Sequence, residues 1–455
     1  MDQLPRRLGL IDASLIVIGV VIGSGIFLLP NVIARSLPSG AAMLAVWVVA
    51  GVLSYFGALA YAELGAMMPA TGGQYVYLRE AFGPGCAFLS GWVFLLAVIP
   101  GGMAFLAVGF SIYLDHFIPL SPALREIVSL ALLAALTAAN YIGVKEGAWI
   151  QRIFTSLKIA GLLLLIGAAA FAPHVASAPP SSAQPLPSLS YRGIGYALTA
   201  CLMAYNGWSY VSFVAGEIKN PQRNLPRAMA LGMAGVIALY VGANIAYLNV
   251  MTVPEIAATE RVGAAVAART MGPAGASVLS AVVLLSIIGA INGNILTGAR
   301  IPFAQARDGI FFARFGRVHP RFETPAFAIV AQTAWTGLLV VTGSYETLFA
   351  YAILSSWIVY TLGVAAVWVL RRKAPGAPRP YKMWGYPYTM WAFLIVSAWY
   401  MVDAMVNQPK PSLMAFAVCA AGIPFYIYPK NGSRPCALNV EVVIIVQHAQ
   451  RRRGR

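Results

Sequence analysis

Long apolar runs separated by short polar segments dominate the pattern along this chain of 455 residues. A helix needs about 20 consecutive apolar residues to cross the hydrocarbon core of a bilayer, and runs of this length recur from one end of the chain to the other. The pattern therefore predicts an all-α membrane protein with about twelve membrane-spanning helices. These spans, numbered 1 to 12 in chain order, are predicted at residues 10–36, 40–67, 84–116, 123–142, 149–171, 191–215, 227–252, 274–305, 325–342, 346–370, 386–406 and 411–429.

The composition agrees with a membrane environment, since 59% of the residues are hydrophobic and only 10% are charged. A soluble domain contains about 25% charged residues. The formal net charge of +16 could instead indicate a nucleic-acid partner. We do not expect one, because the basic residues lie mainly in short loops and at the termini, and no nucleic-acid-binding motif accompanies them.

The distribution of the basic residues predicts the orientation. With the N-terminus inside, 24 of the 31 Lys and Arg residues lie on the inner side, six lie outside, and Lys158 lies within span 5. This asymmetry predicts a multi-pass protein of the cell inner membrane with both termini in the cytoplasm. Residues 1–429 are expected to form a single transmembrane domain. Residues 172–190 are expected to form an external loop, and residues 430–455 a cytoplasmic tail lying against anionic membrane lipid.

Two spans contain residues that weaken a helix near the middle of the membrane. Span 1 contains Gly23–Ser24–Gly25, and span 6 contains Met203 to Ser209 with Asn206 and Gly207. Small residues also allow close packing of helices, so either segment alone has a plain structural explanation. One interruption in each half, five spans apart, is typical of transporters built from inverted repeats. The exposed NH groups and carbonyls of two broken helices suit the carboxylate and the ammonium of an amino acid.

The chain resembles the amino acid–polyamine–organocation superfamily and, within it, the L-amino-acid transporter family of exchangers and permeases of bacterial type. The matching segments are Ile22–Phe27, Ala204–Trp208, Glu217–Pro226, Asn292–Asn294 and Ala306–Gly309. The resemblance covers residues 8 to 428. It implies a LeuT-like fold of inverted five-helix repeats with discontinuous helices 1 and 6, with repeat one at about 8–171, repeat two at about 191–371 and peripheral helices at about 386–429.

The same resemblance implies a substrate site at the two interruptions. The NH groups of Ser24 and Gly25 and the Ser24 hydroxyl are expected to bind the substrate carboxylate. The carbonyls of Val21, Met203 and Asn206 are expected to bind the amino group. Met203 stands where many relatives carry a bulky aromatic gate, which leaves the size limit of the substrate open. The candidate substrate-binding residues are Val21, Ile22, Gly23, Ser24, Gly25, Ile26, Met203, Ala204, Asn206 and Gly207.

Four further residues are candidates for coupling and gating. Lys158 is a cation inside a membrane span, which is costly and points to a function unless the side chain snorkels to the interface. In related sodium-independent transporters, a lysine here occupies the position of a sodium ion and ties span 5 to the unwound span 1, and Tyr247 matches a tyrosine that works with it. Glu217 is expected to lie opposite Lys219, Arg223 and Arg227 in a cytoplasmic gate. Ser356 is expected to face the substrate or to pack against other helices.

These observations favour a secondary transporter rather than a channel, an ATP-driven pump or an enzyme. No P-loop, filter sequence or intramembrane cluster of catalytic residues is present, and no cofactor or metal is expected. We expect sodium-independent transport of small to medium neutral L-amino acids by exchange through alternating access. A proton-coupled permease, with Glu63 as the candidate proton carrier, and an amine/amino-acid antiporter remain alternatives. Related eukaryotic transporters join a glycoprotein partner through an external cysteine, which the loop 115–124 lacks, so no obligatory glycoprotein partner is expected.

Overall fold

The computed structural model describes residues 4–115, 117–172, 190–342, 345–407 and 409–427. These residues are predominantly helical and contain no β-strand beyond a single bridge between Leu8 and Ile218. The α-helices are α1 (Leu10–Val21), α2 (Gly25–Ala34), α3 (Gly40–Met67), α4 (Gln74–Phe82), α5 (Pro84–Val93), α6 (Ile99–Leu114), α7 (Pro122–Ile142), α8 (Val144–Ala170), α9 (Tyr191–Ala204), α10 (Pro221–Val250), α11 (Val253–Ala258), α12 (Val262–Met271), α13 (Pro273–Gly298), α14 (Arg300–Arg307), α15 (Ala326–Val341), α16 (Tyr345–Lys373), α17 (Tyr388–Asn407) and α18 (Pro409–Ile427).

The prediction of an all-α membrane protein is confirmed. Among the described residues, eight helical segments are long and apolar enough to cross a membrane, and α1 and α2, bent by 41° at their junction, together form a ninth. Spans 9 and 12 correspond to the shorter apolar helices α15 and α18, and span 6 contains α9 and a 3₁₀ helix, Tyr210–Glu217. A π-helical turn, Phe94–Val98, joins α5 to α6 so that span 3 is continuous from Pro84 to Leu114.

Three helices were not predicted from the sequence. The helix α4 precedes span 3, whereas α11 and α12 lie between spans 7 and 8. All three are too short to span a bilayer, and their mixed composition gives them no long apolar run. The predicted external loop lies largely outside the described residues, and the predicted tail lies wholly outside them.

The interrupted helix α1–α2 lies at the centre of the bundle. Helix α1 packs against α8, α10 and α13, and α2 packs against α9, α11 and α12. Helix α10 runs along α3, while α17 and α18 both pack against α16. The two interruptions therefore lie where helices from both halves of the chain meet.

The end of the bundle that carries the N-terminus, here called the N face, is held together by ion pairs. The ion pairs of the N face are Arg7–Glu323, Arg79–Asp308, Arg152–Asp12, Arg300–Glu217 and Arg371–Glu63. Helix α18 also ends at this face, because Tyr426 near its end packs against Phe88 near the start of α5, with ring centroids 5.5 Å apart.

Candidate substrate site at two helix breaks

The first break separates α1 from α2. Helix α1 ends where Ile22 adopts an extended conformation, with φ −76° and ψ 94°, and α2 begins after Ser24. The NH groups in the first turn of a helix have no acceptor within that helix. Ser24 is almost fully buried, at 4% exposure, so the start of α2 presents donors inside the protein rather than to bulk water.

The second break follows α9, which ends at Ala204. Gly207 has φ +104°, a conformation that L-residues with a side chain rarely adopt. A Cβ atom at Gly207 would also lie 2.6 Å from Cγ1 of Val20 on α1. Glycine at this position therefore allows the chain both to turn and to approach the first break. The chain resumes as a 3₁₀ helix over Tyr210–Glu217.

The two breaks border one cavity of about 310 Å³, at the lower end of the range of about 300–1,000 Å³ typical of small-molecule sites. Eight of the ten predicted substrate-binding residues line this cavity, and Ile22 and Ile26 do not. The lining residues are Val20, Val21, Gly23, Ser24, Gly25, Leu28, Leu29, Val98, Gly102, Phe105, Leu106, Met203, Ala204, Asn206, Gly207, Tyr210, Asn294 and Ile353.

None of these described lining residues carries a charged side chain. The side-chain amide of Asn206 is fixed by two neighbours on α16. Its Oδ1 accepts a hydrogen bond from the Tyr360 hydroxyl at 2.7 Å, and its Nδ2 donates to Oγ of Ser356 at 3.3 Å. Ser356 is fully buried and is not part of the cavity lining, so it supports Asn206.

Tyr240 of α10 connects the two breaks, a connection that the sequence reasoning missed. Its hydroxyl lies 3.0 Å from the carbonyl oxygen of Val21 and 3.1 Å from that of Ala204. A phenol has one proton to donate, so these two carbonyls share it. The Val21 carbonyl also accepts from the NH of Gly23 at 3.0 Å, and therefore keeps a free lone pair only when Tyr240 donates to Ala204.

Lys158 of α8 lies at the back of the first break with its side chain fully buried. Its Nζ donates to the carbonyl oxygens of Gly19 at 2.9 Å, Ile22 at 2.6 Å and Ser286 at 2.9 Å. The ammonium thus connects α8 to the end of α1 and to α13. This geometry excludes a snorkelling side chain and makes the contact between span 5 and the broken span 1 that the resemblance implies.

Ser286 and Tyr247 complete the contacts around this break. The Ser286 hydroxyl donates to the carbonyl of Ile22 at 3.0 Å. The Tyr247 hydroxyl donates to the carbonyl of Ile26 at 3.3 Å, one turn beyond the carbonyl that Lys158 reaches. Ile22 and Ile26 therefore contribute to this region through backbone carbonyls, while their side chains are fully buried in the core.

The predicted partners of Glu217 are wrong. Its carboxylate pairs with Arg300 at the start of α14, with Oε1 2.8 Å from Nε and Oε2 3.1 Å from Nη2, and both side chains are buried. Lys219 is exposed and instead donates its backbone NH to the carbonyl of Leu8. The reason is that the 3₁₀ helix directs Glu217 into the protein, towards a helix of span 8 that is distant in sequence.

Glu63, the candidate proton carrier, is also buried and ion-paired. Its carboxylate accepts two hydrogen bonds from Arg371, at 2.9 and 2.6 Å, and one from the backbone NH of Met383 at 2.6 Å. A bidentate pair of this kind is among the stronger hydrogen-bonded contacts between side chains. These contacts fasten α3 to the end of α16 and to the segment that follows it.

Sequence reasoning also missed Tyr210, Asn294 and Ser286. Each is a polar side chain inside an apolar span, and such residues must find a partner within the protein because lipid offers none. That requirement marks them as residues of interest. Their assignment to the cavity or to the first break depends on how the 3₁₀ helix, α13 and α1 pack together.

Comparison with known proteins identifies the family. The family model described as "Amino acid permease" matches residues 8–427. The chain is 31% identical over 431 residues to the serine/threonine exchanger SteT of Bacillus subtilis, covering 93% of this chain and 97% of that protein. It is 32% identical to the human large neutral amino acids transporter small subunit 2, covering 93% and 80% of the two chains. It is 30% identical to the human cystine/glutamate transporter, covering 93% and 85%.

The family match spans both helix breaks and all the described helices. The similar proteins are amino acid transporters and exchangers, and none of those named here is an enzyme. The sequence match, the apolar helices and the cavity at two broken helices agree with one another. The chain therefore belongs to the amino acid permease family of the amino acid–polyamine–organocation superfamily, and it is a multi-pass membrane transporter of amino acids.

Proposed function

We propose that this protein exchanges small to medium neutral L-amino acids across the membrane by alternating access, without sodium. The observation that carries the proposal is the cavity between two broken helices, which combines helix ends with a lining in which no described residue has a charged side chain. Such a cavity binds the carboxylate and the ammonium of a zwitterion through backbone groups. A further charge on the substrate side chain would have no oppositely charged partner there, so charged substrates are disfavoured.

The two ends of an α-amino acid suit different parts of this cavity. The carboxylate binds the NH groups of Ser24 and Gly25 and the Ser24 hydroxyl, at the positive end of α2. The ammonium binds the carbonyls of Val21, Met203 and Asn206 near the ends of α1 and α9. The substrate side chain then faces the apolar part of the lining, which includes Val98, Leu106 and Ile353.

The lining favours neutral substrates over charged ones. The names of the similar proteins include serine and threonine, large neutral amino acids, and the pair cystine and glutamate. A charged substrate side chain needs an opposite charge or several hydrogen bonds when it is removed from water. The described lining supplies no opposite charge. Met203 leaves space in the cavity that an aromatic side chain would occupy.

Sodium independence rests on Lys158. Its ammonium donates to carbonyls of α1 and α13, the kind of oxygen ligands that a sodium ion would otherwise bind. A fixed cation there stabilises the broken helix without an ion from solution. In alternating access, the broken helices then move against the rest of the bundle. The five-helix repeats 8–171 and 191–371 provide two equivalent arrangements, one open to each side of the membrane.

The two alternatives receive less support. A proton-coupled permease needs a buried acid that can gain and lose a proton. Glu63 and Glu217, the buried carboxylates of the described residues, are both paired with arginine. An amine substrate has no carboxylate and needs an acid in its site, and no acid is among the described residues that line the cavity.

We further propose that the protein lies in the cell inner membrane with the N face in the cytoplasm, because most of its basic residues lie on that side. No glycoprotein partner is needed, because the loop 115–124 carries no cysteine to join one. Purified protein reconstituted alone therefore suffices for transport.

Efflux of labelled alanine from proteoliposomes tests the exchange mechanism. Unlabelled alanine, serine or leucine added outside should accelerate efflux, equally well when sodium is replaced by choline. Arginine, glutamate and putrescine should not accelerate it. Efflux that is equally fast without external substrate contradicts exchange, and efflux that requires sodium or a pH gradient contradicts the proposed coupling.

A further inference from the structure

A second polar cavity of about 380 Å³ lies at the N face, apart from the substrate cavity. Its walls come from the N-terminal segment, the turn after α3, α4, the 3₁₀ helix that follows the second break, and α14. We call it the N-face cavity, and it is lined by Leu4, Arg6, Pro69, Ala70, Thr71, Val76, Arg79, Gly216, Phe303, Ala304, Arg307 and Asp308.

The charges of the N-face cavity do not balance. Three arginines, Arg6, Arg79 and Arg307, face one carboxylate, that of Asp308. Asp308 is already occupied, since it is ion-paired with Arg79 and accepts a hydrogen bond from the Tyr75 hydroxyl at 2.6 Å. Within the described part of the chain, neither Arg6 nor Arg307 takes part in an ion pair. Among the described residues, two exposed guanidinium groups therefore remain without an ion-pair partner at one polar cavity.

The two unpaired arginines lie on different elements of the chain. Arg6 precedes α1, in a segment that is hydrogen-bonded to the end of the 3₁₀ helix through Leu8 and Lys219. Arg307 is the last residue of α14, the helix whose first residue, Arg300, pairs with Glu217 of the 3₁₀ helix. A ligand that binds both guanidinium groups therefore connects the N-terminal segment directly to α14.

We infer that the N-face cavity binds a phosphate-type anion and that this binding holds the N face closed. Guanidinium groups bind phosphate oxygens through paired hydrogen bonds, and a phosphate has enough oxygens to accept from two arginines at once. The anion is the phosphate group of a soluble molecule or of an anionic lipid headgroup.

The consequence for transport follows from the position of the cavity. Opening of the N face must separate the N-terminal segment from the 3₁₀ helix and α14, and therefore must pull Arg6 away from Arg307. An anion that binds only when the two arginines are together raises the population of the closed state. Anion binding thus slows exchange without competing for the substrate cavity.

Binding of radiolabelled inorganic phosphate to the full-length protein tests the site directly. In nanodiscs of zwitterionic phosphatidylcholine, we expect saturable binding of one phosphate per chain. The double variant Arg6→Gln/Arg307→Gln should weaken binding by at least about tenfold, because it removes both guanidinium partners. The control Arg314→Gln/Arg317→Gln removes two exposed arginines from the same face outside the cavity and should bind like wild type.

The source of the phosphate is distinguished by repeating the measurement in nanodiscs that contain phosphatidylglycerol. Unchanged binding of inorganic phosphate identifies a site for soluble phosphate compounds. If the wild-type protein loses phosphate binding in phosphatidylglycerol, and the double variant binds no less phosphate there than in phosphatidylcholine, the lipid headgroup is the occupant. Potassium chloride at equal ionic strength controls for general screening of charge.

Exchange assays supply the second readout. Phosphate on both sides of phosphatidylcholine proteoliposomes should lower the maximum rate of wild-type alanine exchange and leave the KM for alanine unchanged. The rate of the double variant, compared with its own phosphate-free rate, should not fall. The inference is overturned if phosphate does not bind saturably, or if the two double variants bind it equally. It is also overturned if inhibition raises only the KM for alanine. The binding measurement uses no transported substrate, so its outcome does not depend on the proposed substrate class.

Discussion

The ammonium of Lys158 lies 2.6 Å from the carbonyl oxygen of Ile22, the residue that directly follows α1. Two further carbonyls, those of Gly19 and Ser286, surround the same nitrogen. The end of a helix leaves carbonyls without an internal donor, and in a membrane these need a partner from the protein. One buried cation thus satisfies two carbonyls at the end of α1 and, through the Ser286 carbonyl, fixes the first break to α13 as well as to α8.

Replacement of Lys158 should therefore impair transport rather than insertion. We expect Lys158→Met to insert normally and to lower exchange by at least about tenfold, because hydrogen bonds to a charged group are worth about 1.5–3 kcal/mol each. Lys158→Arg should also impair exchange, since a larger planar cation does not fit among the three carbonyls. Lys219→Met, which removes an exposed lysine of the N face, is the control. Exchange by both Lys158 variants at the wild-type rate and equal protein level would show that this residue has no role in transport.

Ser24 and Gly25 allow the carboxylate site to be tested. Ser24→Ala removes a hydroxyl but keeps the backbone donors, so the affinity for alanine should fall by about 1 kcal/mol, or up to roughly tenfold. Gly25→Val should be much more harmful. An added Cβ at Gly25 already lies 3.5 Å from Cα of Ala204, and the two methyl groups of valine fill the space beside it.

Gly102 provides the control for Gly25, because it lines the same cavity and an added Cβ meets no atom within 4 Å. Competition between labelled and unlabelled alanine in proteoliposomes measures the affinity of each variant. Gly25→Ala serves if the valine variant does not fold. Equal loss of affinity in Gly25→Val and Gly102→Val would indicate general loss of space and would contradict a carboxylate site at Gly25.

Tyr240→Phe tests the connection between the two breaks. The change removes the only proton shared by the Val21 and Ala204 carbonyls, and it leaves the aromatic packing in place. We expect exchange to slow by about fivefold to tenfold, equivalent to about 1–1.4 kcal/mol for one buried hydrogen bond. Tyr400→Phe, a buried tyrosine on the peripheral helix α17, is the matched control. An equal effect of the two substitutions on exchange rate would attribute the loss to packing alone.

The buried pair Glu217–Arg300 should contribute to stability more than an exposed pair. Glu217→Gln leaves a buried guanidinium without its partner and is expected to destabilise the protein by about 3–5 kcal/mol. The exposed pair Glu255–Arg269 is worth about 0–1 kcal/mol, so Glu255→Gln is the control. Thermal unfolding in detergent measures both effects. The double variant Glu217→Leu/Arg300→Met should recover most of the lost stability, and failure to do so would mean that the charges themselves are not the cause.

The sequence by itself determined the fold class and the positions of the breaks. Long apolar runs have one stable arrangement in a membrane, the helix, so each predicted span contains a helix of the structure. Glycine and serine in the middle of such a run weaken the helix locally, and this indicated both breaks. Lys158 was identifiable for the same reason, because a cation at this depth is costly unless the protein provides partners.

Only the tertiary structure decided which groups meet. Glu217 pairs with Arg300, 83 residues away, rather than with the basic residues next to it in the chain. Tyr240 reaches carbonyls of α1 and α9, and Arg6 and Arg307 come to line one cavity, although nothing in their neighbouring sequence indicates it. Periodicity and composition report what each helix prefers to contact, apolar or polar. The partner of a particular side chain depends on the packing of helices that are distant in sequence, which no local pattern encodes.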